Sequence, residues 1–173
     1  METLNVFFEQ TRVGSIRIDS RRLFSFEYSR EWLDSPEAFR ISISMPLQED
    51  VFQHDTVKSF FSNLLPESAV RKLISKQLGI SDKNDFMLLK RIGGECAGAI
   101  SILPESEKPE SPSQYQYRSL SDEQLSDLIL QIPRRPLLAG QDGIRISLAG
   151  AQEKLVLFHK DPNFYIPMNG APS

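Results

Sequence analysis

Between residues 3 and 28 apolar and polar side chains alternate. Leu4, Val6 and Phe8 interleave with Thr3, Asn5 and Phe7, and Ile16 and Ile18 alternate with Ser15 and Arg17. Leu23, Phe24, Phe26 and Tyr28 resume the pattern with aromatic weight. A period of two marks half-buried strands. Thr11 to Gly14 and Asp19 to Arg22 supply polar turns, so the spacing predicts a three-stranded meander. Ile41 to Ser44 repeats the period and predicts a further strand, stopped by Pro46.

The middle of the chain changes period. Val57, Phe60, Phe61, Leu64 and Leu65 fall on one helical face, with Asp55 or Thr56 as the cap and Pro66 as the end. Ser68 opens a second helix through Val70, Leu73, Ile74 and Leu78, and Gly79 suits its C-cap. A third is predicted from Ser81 to Lys90 through Phe86, Leu88 and Leu89. Ala97 to Leu103 reads as a buried strand. Strands followed by a helical block give an α+β class rather than alternating βαβ units.

Pro104 to Ser113, PESEKPESPS, has no apolar period and reads as an exposed loop. Ser121 then caps an amphipathic helix with Leu125, Leu128 and Ile129, closed by Pro133 and Pro136. Asp122 and Glu123 in its first turn suit the helix dipole. From Ile144 the period is two again, through Ile144 to Ser147, Lys154 to His159 and Phe164 to Pro167, with Asp161-Pro162-Asn163 as a turn. The expected division is a first domain at 1–103, a linker at 104–120 and a second domain at 121–173.

Composition narrows the function classes. Hydrophobic residues at 40% and charged residues at 25% suit a folded domain rather than a disordered or fibrous chain. A net charge of −3 argues against a general electrostatic grip on nucleic acid. One cysteine, Cys96, and two histidines, His54 and His159, leave no internal disulfide and too few soft ligands for zinc. No basic-then-apolar leader and no run of about 20 apolar residues is visible, so the expectation is a cytoplasmic protein.

The segment best suited to chemistry is Ile144 to Phe158. Two strand-like stretches flank Ser147-Leu148-Ala149-Gly150-Ala151-Gln152. The small residues let the backbone approach a ligand, and successive N–H groups in such a turn can nest phosphate oxygens. Strand, small-residue loop, strand is the way protein kinases cover nucleotide phosphates. Lys154 would stand near those phosphates or face solvent. The same pattern also describes an ordinary hairpin with a tight turn, and on pattern alone that reading is the stronger.

Other segments carry less. Asn63 to Ser68 reads as a helix-helix corner, and Gly93 to Ala99 as a small-residue turn into a strand. Cys96 has the character of a buried small hydrophobe, and no spacing pairs it with His54. Arg134, Arg135 and Arg145 form a modest basic cluster, most simply a solvated face.

Three blocks together say more. Phe60-Phe61-Ser62-Asn63-Leu64-Leu65-Pro66-Glu67-Ser68, Gly93 to Ala99, and Ile146-Ser147-Leu148-Ala149-Gly150-Ala151-Gln152-Glu153-Lys154 resemble, in order and spacing, the HipA family. These are the serine/threonine kinase toxins of HipBA toxin–antitoxin systems. Trp32-Leu33 and Ser42 to Leu47 also resemble the family's N-terminal subdomain. The resemblance implies that subdomain followed by the first strands of a kinase-like N-lobe with its Gly-rich loop. It further implies that Ala149, Gly150, Ala151, Gln152, Glu153 and Lys154 cover ATP, bound with Mg²⁺ in the complete kinase. Ser147 would be the autophosphorylation site that switches the kinase off. The implied partners are a HipB-like DNA-binding antitoxin, the kinase C-terminal lobe, covalent or in trans, and glutamyl-tRNA synthetase as substrate.

Family members continue past the position of Ser173 into an ATP-binding lysine and a lobe carrying the base and metal-binding aspartates. The chain is therefore expected to be the N-terminal portion of such a kinase, without catalytic residues of its own and inactive alone. The alternative is a free-standing, antitoxin-like regulatory subunit that binds a separate kinase lobe. Retention of the loop from Ser147 to Lys154 favours the first.

Overall fold

The computed structural model describes residues 1–95, 99–131, 156–168 and 171. Two compact units divide the chain: Met1–Leu65 with Asn84–Pro109, and Pro66–Lys83 with Glu110–Ser173.

In the first unit the expected meander forms from β1 (Glu2–Phe8), β2 (Thr11–Ile18) and β3 (Phe24–Tyr28). Strand β4 (Ile100–Pro104) pairs with the other side of β1, giving an antiparallel sheet of order β3-β2-β1-β4. Helices α1 (Arg30–Leu33) and α2 (His54–Ser62) follow the meander. Helix α3 (Ser68–Leu78) belongs to the second unit, and α4 (Asp85–Ile92) returns to the first.

Aromatic side chains fill this unit. The alternation of β3 sends Phe24, Phe26 and Tyr28 to one face, all buried. Phe24 meets Phe86 of α4 edge-on at 5.8 Å, and Phe26 meets Phe61 of α2 at 5.6 Å. Each such ring contributes about 1.5–3 kcal/mol of burial. A second cluster joins Phe8, Trp32 and Phe39, with centroids 5.0 to 5.9 Å apart. The Ser29 hydroxyl caps α1 by accepting from the Trp32 backbone N–H, and the Trp32 indole N–H donates to the Phe39 carbonyl at 3.2 Å.

Gly14 of β2 is a place where only glycine fits. A Cβ there would stand 2.2 Å from the Glu27 carbonyl oxygen and 2.7 Å from the Phe26 ring. The opposite face of the sheet holds a buried polar pair, in which the Ser15 hydroxyl donates to the Asn5 side chain at 3.0 Å.

The segment after α1 departs from expectation. Ile41 to Ser44 is not a strand: only an isolated bridge joins Ser42 to Met45. The Tyr28 hydroxyl explains this. It donates to the Met45 carbonyl at 2.6 Å and accepts from the Ile41 N–H at 3.1 Å, binding the segment as a loop. Phe52 then closes the loop by exchanging two backbone hydrogen bonds with Phe26.

Helix starts also shift. Helix α2 begins at His54 with Gln53 at the cap position, not at Asp55 or Thr56. The third helix begins at Asp85, because the Asn84 side chain accepts from the Met87 N–H and so sets the N-cap. The strand expected from Ala97 begins at Ile100. Helix α3 opens at Ser68 and ends at Gly79 in the left-handed conformation, φ 65°, as its sequence predicts.

The second unit adds β5 (Gln116–Leu120), α5 (Asp122–Gln131), β6 (Phe158–Lys160) and β7 (Asn163–Met168). Its sheet has order β5-β7-β6, with both pairings antiparallel. The stretch read as a linker therefore contains a strand, preceded by a single 3₁₀ turn at Pro112–Gln114.

Two outcomes test this account. Gly14→Ala should lower stability by about 3 kcal/mol, because the added carbon meets a backbone oxygen and a fully buried ring, neither free to move away. Denaturant unfolding measures it, and an unchanged midpoint would remove the close approach of β2 and β3 from the argument. The second outcome concerns Arg17 and Glu27, which form an ion pair across β2 and β3. The Arg17 guanidinium holds the Glu27 carboxyl below the ordinary carboxylate range. A lowered folded-state pKa contributes stability above the unfolded value and loses it as pH falls through the folded one. Side-chain exposures of 32% and 35% keep the gain modest. Glu27→Gln should flatten the acid limb of stability against pH, read from urea midpoints between about pH 3 and 7.

Candidate functional site

The second unit frames the segment that carries the candidate chemistry. Helix α5 precedes residues 132–155 and strand β6 follows them. Ser121 starts α5 with a capping box. Its hydroxyl accepts from the Gln124 N–H at 3.2 Å, and the Gln124 side chain accepts from the Ser121 N–H at 3.0 Å. A hydrogen bond with the Ser121 side chain holds the Glu123 carboxyl below its usual range, and Asp122 and Glu123 both suit the helix N-terminus.

On the other flank, β6 and β7 form a hairpin. Tyr117, Phe158 and Tyr165 cluster on one face, with Phe158 4.6 Å from Tyr117 and 6.0 Å from Tyr165. Phe164 and His159 stack at 4.8 Å on the other face. Ile166 beneath is 1% exposed and anchors β7.

Between β5 and α5 opens a cavity of about 230 Å³ lined by Arg118, Ser119, Leu120, Gln124, Asp127 and Leu128, among others. A drug- or nucleotide-sized ligand takes a pocket of about 300–1,000 Å³. The cavity therefore suits a small polar group, with Arg118 and Asp127 offering opposite charges. The sequence marked only Leu128, and only as an apolar helix position; β5 leaves Gln116 to Ser119 exposed and shows no buried alternation.

The loop residues Ala149, Gly150, Ala151, Gln152, Glu153 and Lys154, and the serine Ser147, lie outside the described residues. So do Arg134, Arg135, Arg145 and Cys96. The remaining candidates are placed, and each serves the scaffold. His54 Nδ1 accepts from the Phe24 N–H at 2.8 Å, with its ring 5.8 Å from that of Phe24. This ties α2 to β3.

In the corner block, Phe61 and Leu65 are buried while Phe60 and Leu64 are half-buried. Ser62 donates to the buried Asp85 carboxylate at 2.7 Å, linking α2 to α4. Gly93 and Gly94 answer to packing. A Cβ on Gly93 would stand 2.9 Å from the Ile102 Cβ, and one on Gly94 3.2 Å from Leu103. Among the described residues no three His, Cys, Asp or Glu side chains converge as a metal site. No described helix is long and apolar enough to cross a membrane.

A sheet-and-helix unit that runs through the corner and glycine blocks invites comparison with known proteins. The family model for the HipA N-terminal domain matches residues 4–103. The chain belongs to the HipA family. Y4mE of Sinorhizobium fredii, whose name assigns it provisionally to the kinases, is 38% identical over 174 residues, spanning 98% of this chain and 41% of that protein. The serine/threonine-protein kinase toxin HipA of Shewanella oneidensis is 29% identical over 164 residues, or 94% of this chain and 36% of the toxin. A solved complex of Shewanella oneidensis HipA, HipB and operator DNA contains a similar chain. The TM-score is 0.70 at 27% identity, over 94% of this chain and 37% of that one. The mixed α/β architecture with antiparallel sheets is thus that of HipA. The chain spans about two-fifths of the length of these relatives.

The scaffold role of His54 gives a direct outcome. His54→Ala should destabilise the chain by about 1–3 kcal/mol by leaving the Phe24 N–H without its acceptor. Denaturant midpoints measure this, and an unchanged midpoint would mean that the bond carries nothing.

Proposed function

We propose that this chain forms the N-terminal portion of a HipA-type serine/threonine protein kinase toxin and supplies its nucleotide-covering loop. The observation that carries the reading is the family match over residues 4–103, together with likeness to HipA across 94% of the chain. Beyond residue 103 the order of the Ser147 to Lys154 block supports it. In this reading the N–H groups of Ala149, Gly150 and Ala151 hold ATP phosphate oxygens, and Gln152 to Lys154 complete the loop. Mg²⁺ and the base that orients the attacking hydroxyl belong to the C-terminal lobe, since phosphoryl transfer needs both. The chain alone is then inactive.

The neighbouring HipA, HipB and operator DNA complex supports a HipB-like antitoxin as the neutralising partner. Glutamyl-tRNA synthetase is the family-type substrate. Ser147 is the regulatory position. A phosphate there adds about −1.5 to −2 charges at neutral pH. It would compete with ATP for the same backbone N–H groups and repel nucleotide.

Two incubations with labelled ATP and Mg²⁺ test the proposal. The purified chain should label neither itself nor glutamyl-tRNA synthetase. With a family C-terminal lobe restored, mass spectrometry should find phosphate on Ser147, and Ser147→Ala should abolish it. Label on the synthetase from the chain alone would overturn the division between the lobes. An active reconstituted kinase with Ser147 unmodified would remove the regulatory role and leave the loop's role standing.

A further inference from the structure

Helix α5 is amphipathic in sequence, yet none of its residues is buried. Its inner side, Gln124, Asp127, Leu128 and Gln131, lines the cavity against β5. At 100° per residue, Ile129 and Leu130 project from the opposite side. They are 53% and 72% exposed, among the most exposed large apolar side chains described. A helix with apolar residues on both sides is built to sit between two layers, and among the described residues its own unit supplies one. Its charged residues are Asp122, Glu123 and Asp127, with no base among them.

We propose that the outer side of α5, centred on Ile129 and Leu130, is the docking surface for the kinase's C-terminal lobe. This rests on the reading of the chain as the N-terminal portion of a HipA-type kinase. The occupant follows from relative lengths. The relatives match nearly all of this chain, yet 59% and 64% of their length lies outside the match (100 − 41 and 100 − 36). The family region matched here is by description N-terminal. In the kinase reading their remaining polypeptide seats on this portion, and α5 is the last helix before the stretch that contains the Ser147 to Lys154 block. The acidic first turn of α5 calls for basic residues at the rim of the docking face.

The test joins the full chain to the portion of Y4mE that lies beyond its match. Hydrogen exchange of the α5 amides is followed in the chain alone and in the fusion, with autophosphorylation as a separate readout. The expected result is at least about tenfold slower exchange across Asp122–Gln131 in the fusion. Ile129→Glu and Leu130→Glu should reverse it while leaving exchange in β1 and β2 unchanged. A fusion that phosphorylates itself with α5 still fast would overturn the docking surface and spare the kinase reading. An inactive fusion with α5 unprotected would overturn both. Protection that rises with concentration of the chain alone would assign the surface to a second copy. Protection that requires added Shewanella HipB would assign it to the antitoxin. Either result overturns the proposal.

Discussion

Phe26 is the point on which the first unit depends. Its ring is fully buried and lies within 6.3 Å of the rings of Tyr28, Phe52 and Phe61. Its backbone exchanges both hydrogen bonds with Phe52, closing the loop that follows α1. Gly14 across the sheet gives up a side chain so that the ring can lie flat against β2. One residue thus fixes the β2–β3 spacing, the seat of α2 and the end of the loop from Ser42 to Phe52. Because these three features share one side chain, disturbance at any of them is felt at the others.

Much of this unit was legible from residue order. The meander from Thr3 to Tyr28 has recurrent alternation, broken at Phe7 where the register shifts, and strong turn chemistry. Helix α3 has a recognisable glycine end. Legibility failed where a distant side chain overruled a local pattern. Ile41 to Ser44 alternates like a strand, but Tyr28, 13 residues before Ile41, takes its backbone partners. The start of α4 moved because Asn84 accepts from the Met87 N–H while the Ser81 hydroxyl is taken by the Lys83 N–H in a local turn. Strand β5 was hidden because its exposed residues follow a Pro-rich stretch and carry no buried alternation. The blocks that revealed the family did so by order and spacing. Where the structure describes their residues, their role is packing, as with Ser62 on Asp85 and Gly93 against Ile102. The loop from Ser147 to Lys154 is the part of the candidate site that rests on sequence alone.

The two units differ in how fully they satisfy themselves. The first buries two aromatic clusters and spends glycines on close packing. The second leaves α5 without a buried residue and holds a shallow cavity lined in part by Arg118 and Asp127. In physical terms the first is a finished scaffold and the second a surface with unmet apolar demand.

The units are also interleaved along the chain. The polypeptide leaves the first unit after Leu65, returns at Asn84 and leaves again after Pro109. No single break can release either unit whole. A chain ended near residue 103 would keep the first unit but carry α3 as a stranded insertion, separated from the strands with which it is grouped. Gene fission, circular permutation or a crossover between homologues would meet the same obstacle, so recombination should respect the boundary after Pro109 and avoid those within 66–83.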